Sequence, residues 1–262
     1  MSAIFLDDAL VHYEVMGRGH PVIFLHSWVG SWRYWIPAMQ AMSSHFRSYA
    51  LDLWGFGDTA RLPVRYTLEN QVRLVTGFID EMGMSQISLI GHGLGGVIAT
   101  YFAADNPGVT RRLVTVSFPM GTSAINGRLL NASVEDLATW LFGHNLENHA
   151  SWKDAVKASR VAIQELLQQY LRVNWRQLLL RTKVPSIWIH GGKDPAISLP
   201  SEDQLQFLPE GSQHFIFHNA GHFPMLQEAS IFNRLVTDFL TLEIESGAFP
   251  LQLKMEWKRR VR

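Results

Sequence analysis

Short apolar runs bounded by turn residues dominate the first half of the chain. Ile4–Leu6, Val11–Val15 and Val22–Leu25 read as strands, the first two joined through Asp7-Asp8 in a hairpin. Strand runs Phe46–Leu51, Ile87–Ile90 and Leu113–Ser117 then alternate with helical periodicity over Thr67–Glu81 and Val97–Asp105. Strands without polar alternation are covered on both faces, and helices between them act as crossovers of a parallel sheet. The rhythm breaks between about 122 and 183, where Val134–Phe142 and an amphipathic run from Trp152 to Leu180 read as helices. Strands resume at Ser186–His190 and Phe215–Phe217, and a helix near Met225–Leu240 closes the pattern. The expected fold class is α/β, with a core of residues 1–121 and 184–245. A helical block inserted between two parallel strands lies over their C-terminal ends, so 122–183 is expected to be a lid.

Composition narrows the partners. Hydrophobic residues make up 47% and charged residues 18% of 262, which excludes a disordered chain. Lys plus Arg and Asp plus Glu each total 23, so a global basic surface for nucleic acid or membrane is not expected. The segment 246–262 is the exception; its Lys254, Lys258, Arg259, Arg260 and Arg262 read as a solvated basic tail. The absence of cysteine removes disulfides, thiolate zinc sites and a Cys nucleophile together. Asp7 and Asp8 interrupt the first apolar stretch, unlike a signal peptide. The uncharged stretch Met82–Ala104 carries Gly83, Gly91, Gly93, Gly95, Gly96 and His92, and reads as strand, turn and helix instead of a membrane span. A cytoplasmic monomer or homodimer is the expectation.

The chemistry turns on Gly91-His92-Gly93-Leu94-Gly95-Gly96, between an apolar strand and a helix. As G-x-G-x-x-G it matches a dinucleotide fingerprint, the mark of an oxidoreductase. That reading needs an acidic residue at the end of the next strand, where Ser117-Phe118-Pro119 stands instead. The competing reading is a nucleophile elbow, small-x-nucleophile-x-small, with position 93 as nucleophile. Four further segments follow strands in a suitable order: Leu25-His26-Ser27-Trp28, Asp52-Leu53-Trp54-Gly55-Phe56-Gly57, Gly191-Gly192-Lys193-Asp194 and Gly221-His222-Phe223-Pro224. A backbone N–H in the first can complete an oxyanion hole, and the order nucleophile, acid, histidine is that of α/β-hydrolases.

On these five motifs the chain resembles α/β-hydrolase-fold proteins of the lidded esterase, dehalogenase and C–C-hydrolase type, over nearly all of residues 3–242. The resemblance implies an eight-stranded, mostly parallel sheet, Asp194 as triad acid and His222 as triad base. It also places the oxyanion hole at the N–H groups of Trp28 and Leu94. Two positions depart from the family pattern. Ser27 stands where many relatives have Gly, read as a mild change, and Gly93 stands where they carry Ser, Asp or Cys.

Without a side chain at 93 no covalent intermediate can form there, and a triad without its serine loses about a million-fold in turnover in the serine-protease example. Gly tolerates the positive φ of an elbow, so the fold is expected to survive, leaving a small space beside His222 for a water. Restoring the hydroxyl by Gly93→Ser is then expected to cost roughly 1 kcal/mol and to create esterase-like activity. The leading reading is a carboxylesterase-like lineage disabled at its nucleophile and acting on or binding an apolar or aromatic small molecule. Two alternatives remain open: a non-covalent enzyme with His222–Asp194 as general base (lyase, decarboxylase or water-attack hydrolase), and a ligand-binding protein.

Asp52, followed by Gly55 and Gly57, reads as a brace for its turn. His214, His218 and His222 are spaced by four, but a strand would separate successive members by roughly 13 Å, too far for one metal ion. No cofactor and no metal are expected. His26 reads as an anchor of the oxyanion loop, and His92 as a residue that packs or supports the site from behind. Trp54, Phe118, Trp140, Phe142 and Phe223, with His26, are the expected pocket lining.

Overall fold

The computed structural model describes residues 2–143 and 149–242; the basic tail expected at 246–262 lies outside the described residues. The strands are β1 (Ser2–Leu6), β2 (Ala9–Gly17), β3 (His20–Leu25), β4 (Phe46–Leu51), β5 (Ile87–His92), β6 (Thr110–Val116), β7 (Ser186–Gly191) and β8 (Gln213–Phe217). They form one sheet in the order β1-β2-β4-β3-β5-β6-β7-β8. β1 and β2 pair antiparallel, as do β2 and β4, and every other pairing is parallel. The hairpin turns through Asp7 and Asp8, at φ 46 and 61. Positive φ at both central residues is what a tight turn matched to the strand twist requires, and Asp tolerates it.

Helices α1 (Ile36–Met42), α2 (Leu68–Glu81) and α3 (Leu94–Asp105) lie in the connections β3–β4, β4–β5 and β5–β6. Between β6 and β7 lie α4 (Arg128–Asn131), α5 (Val134–Phe142), α6 (His149–Ala155), α7 (Arg160–Tyr170) and α8 (Trp175–Arg181), and no named strand among the described residues. The amphipathic run Trp152–Leu180 is thus parts of three helices. Ser159 and Asn174 cap the second and third by accepting from the N–H groups of Ala162 and Gln177. The chain closes through α9 (Glu202–Leu205), α10 (Pro224–Gln227) and α11 (Ala229–Thr241).

The helices flank the sheet in two groups, α1 with α10 and α11, and α3 with α2 and α8. α3 is buried almost all round, consistent with its apolar sequence LGGVIATYFAAD, whereas α11 buries one stripe through Phe232, Leu235, Val236, Phe239 and Leu240. Every residue of β5 and of β7 is buried. Strands covered on both faces in this way present their functional side chains at their ends. Among the described residues no helix is long and apolar enough to cross a membrane.

Candidate active site

Five parallel strands deliver the site from their C-terminal ends. The loop after β3 carries His26, Ser27 and Trp28; β5 ends at His92 and turns through Gly93 into α3; Ser117 follows β6, Asp194 follows β7, and His222 follows β8. Gly93 has φ 50 and ψ −111, the left-handed elbow expected between strand and helix. The neighbouring glycines serve packing: a Cβ on Gly91 would run into the carbonyl of Gly95, and one on Gly95 into that of Leu25. That accounts for the glycine pattern without a pyrophosphate.

His222 Nδ1 lies 3.0 and 2.9 Å from the two carboxylate oxygens of Asp194, and both side chains are about 2% exposed or less. The carboxylate is further satisfied by the Ser117 hydroxyl at 2.7 Å and by the N–H groups of Ala196 and Ile197 at 2.8 and 3.1 Å. Burial pushes the Asp194 carboxyl up, but the His222 imidazole, the Ser117 hydroxyl and the Ala196 N–H outweigh it and hold the group well below the usual carboxylate range. An ionised carboxylate only accepts, so in the neutral ring Nδ1 carries the proton and Nε2 is the acceptor. Ser117 holds its hydroxyl there from φ 47, one of three non-glycine residues with positive φ among those described.

The small space expected from the missing side chain at 93 is taken by Ser27. A Cβ built on Gly93 would fall closer than 3.0 Å to Ser27 Oγ, 3.0 Å from Ser27 Cβ and 3.3 Å from Trp28 Cε3. Ser27 Oγ lies 3.5 Å from His222 Nε2. Its backbone is gripped from both sides. The Ser27 N–H donates to the Tyr34 hydroxyl at 2.8 Å, which donates in turn to His92 Nδ1 at 3.0 Å. The Ser27 carbonyl accepts from His26 Nδ1–H at 2.8 Å, a tautomer set by the Leu53 N–H donating to His26 Nε2 at 3.0 Å. Burial keeps His26 and His92 below the ordinary imidazole range, His92 strongly so with His222 beside it. The Ser27 substitution is therefore not a mild one: it fills the volume that the missing side chain at 93 would claim.

Aromatic rings close over this point. Phe223 stacks on Phe142 at 4.2 Å and meets Tyr34, His92 and His222 edge-on at 5.2, 5.2 and 5.1 Å. Trp28 meets Tyr170 at 6.0 Å. Among the described residues the one cluster that could hold a metal ion is His12, Asp52 and Asp58. Asp52 there already accepts from His12 Nδ1 at 2.8 Å, Trp32 N–H at 2.9 Å and Asp58 N–H at 3.0 Å, the brace expected of it. His214 is turned to His190 at 3.0 Å, so it does not converge with His222.

The alpha/beta hydrolase family model matches residues 22–234. The chain belongs to that family. It is 29% identical over 254 residues to the 2-hydroxy-6-oxo-2,4-heptadienoate hydrolase of Pseudomonas putida, covering 87% of this chain and 91% of the relative. It is 25% identical over 254 residues to the pimeloyl-acyl-carrier-protein methyl ester esterase of Vibrio vulnificus, covering 87% and 97%. In structure it is similar to the enol-lactonase of Burkholderia xenovorans, with a TM-score of 0.79 at 19% identity over 92% of this chain and 100% of that one, a likeness of fold.

Within this alpha/beta hydrolase, not every residue expected in the pocket joins the cluster around His222. Trp140 is half-buried beneath the Arg128 guanidinium at 4.9 Å. Trp54 lies under Arg65 at 4.5 Å and lines a groove of about 860 Å³ with Phe5, Val64 and Asn70, between β1 and α2. Phe118 packs edge-on against Trp188 at 5.1 Å. Two residues escaped sequence reasoning altogether. Tyr34 lies in Ser-Trp-Arg-Tyr-Trp with nothing local to mark it, and Ser117 ends a strand read as regular.

Proposed function

We propose that this hydrolase-family chain cleaves an ester of an apolar or aromatic small molecule, with His222 as general base and Asp194 holding its tautomer and charge. The N–H groups of Trp28 and Leu94 are the donors for the developing oxyanion, Leu94 as the first residue of α3, where helix N–H groups lack an intrahelical acceptor. Residues 122–183 act as the lid, supplying Phe142 to the apolar wall. One observation carries the reading: a buried imidazole whose Nδ1 is committed to a carboxylate, leaving Nε2 to accept a proton. The methyl ester esterase among the relatives agrees with the ester class. Turnover of p-nitrophenyl butyrate should fall about a hundredfold or more in His222→Ala, with the circular dichroism spectrum unchanged. Equal turnover in that variant would refute the base role. A second reading, saturable ligand binding without turnover, draws on the bare backbone at position 93. Calorimetric binding of the ester without release of p-nitrophenol would favour it.

A further inference from the structure

We propose that the hydroxyl of Ser27 is the nucleophile of this site, delivered from the loop after β3 in place of a side chain at position 93. The inference rests on the reading of His222–Asp194 as a base dyad and names what that dyad activates.

A base of this kind needs an O–H donor opposite Nε2. The elbow that would usually present one offers only a hydrogen at Gly93. Ser27 Oγ occupies the region where the elbow side chain would begin, closer than 3.0 Å to the position of its Cβ. It lies 3.5 Å from His222 Nε2. Productive proton transfer calls for about 2.6–3.2 Å, and resting sites are commonly looser until substrate closes them. Rotation about a single bond, Cα–Cβ, governs the remaining approach.

The surroundings suit a residue that must be aimed. Ser27 is 1% exposed. Its N–H is held by the Tyr34 hydroxyl, which also donates to His92, and its carbonyl by His26 Nδ1–H, with His26 Nε2 accepting from Leu53 N–H. Both backbone groups are thereby committed, and the hydroxyl is the one polar group of Ser27 left to face His222. Tyr34 and His26 are positioning residues in this scheme.

The chemistry balances with water as the second reactant. As Oγ bonds the ester carbonyl carbon, its proton passes to Nε2 and the carbonyl π pair moves onto oxygen. Collapse re-forms the carbonyl and breaks the bond to the alcohol, which departs with the proton from His222. Water then adds to the acyl group on Ser27 and gives its proton to His222. The Oγ–carbon bond breaks, the acid leaves, and Oγ recovers that proton.

The decisive experiment maps a covalent adduct on the unmodified full chain. Treatment with a fluorophosphonate, followed by peptide mass spectrometry, should place the adduct on Ser27. Ser27→Ala should lose both the adduct and about a hundredfold or more of p-nitrophenyl butyrate turnover. Ser27→Cys should restore a burst of p-nitrophenol and carry a butyryl group at position 27. An adduct on a different serine overturns the proposal. Turnover that survives in Ser27→Ala but not in His222→Ala overturns it while leaving the base dyad standing, because water is then the nucleophile. A wild-type chain with neither adduct nor turnover overturns both. Mapping on the wild-type chain does not depend on whether any variant folds.

Discussion

Exchanging the residues at positions 27 and 93 tests the packing claim quantitatively. In Gly93→Ser alone, a Cβ enters closer than 3.0 Å to Ser27 Oγ, 3.0 Å from Ser27 Cβ and 3.3 Å from Trp28 Cε3. Rotation of Ser27 relieves the first contact but not the other two. A non-glycine residue at φ 50 costs about 1–3 kcal/mol, and overpacking adds about 1–3 kcal/mol. The single variant should therefore lose roughly 2–6 kcal/mol, several times the roughly 1 kcal/mol expected from backbone strain alone. Ser27→Gly should cost about 1 kcal/mol through chain entropy. The double variant, Ser27→Gly with Gly93→Ser, removes the crowding partner and should recover about 1–3 kcal/mol relative to the sum of the singles. Urea unfolding followed by tryptophan fluorescence measures all four corners of the cycle. Additivity within about 0.5 kcal/mol would refute the shared-volume argument. In the double variant, a fluorophosphonate adduct should move to position 93.

Two further outcomes follow from the buried network. Asp52→Asn should destabilise the fold by about 3 kcal/mol in the same unfolding assay, because it breaks a buried pair with His12, while turnover by the folded fraction stays unchanged. His214 is pushed down to about 4 from an ordinary 6.5 by burial and by His190, so the unfolded chain takes up a proton that the folded chain refuses. Stability should be full above pH 6.5 and fall as pH drops towards 4, by on the order of 2 kcal/mol for this partly exposed group. His214→Gln should flatten that slope between pH 4 and 6.5; an unaltered slope would remove His214 as its source.

The sheet was largely legible because its strands carry short apolar runs bounded by turns, and Asp7-Asp8 marked the hairpin. The helices between β6 and β7 were legible as helical but not as separate pieces. Apolar periodicity runs on through their breaks, and the caps Ser159 and Asn174 were the available signals. The elbow was legible in the glycine motif, and the His222–Asp194 pair came from the family resemblance that the ordered motifs carry. Ser27 did not, because its meaning depends on contact with a residue far along the chain: it stands 195 positions from His222. No local pattern reports which loop fills a volume first. Tyr34 and Ser117 were hidden for the same reason, since each acts through one bond to a loop of another strand.

The overlap of Ser27 with the side-chain volume of position 93 also constrains how such a site can arise. If the hydroxyl was once carried by the elbow, two single substitutions separate that arrangement from this one, and their order matters. Acquiring Ser27 first yields a crowded chain with two hydroxyls competing for one pocket. Losing the elbow side chain first yields a relaxed chain with no hydroxyl beside the imidazole. Each route crosses an intermediate handicapped in a different currency, folding on one side and turnover on the other. A lineage with stability to spare can take the crowded route and stay active throughout; a marginal one must cross a silent ancestor. Reconstructed intermediates of the two kinds, compared for unfolding free energy and ester turnover, would show which path was open to this protein.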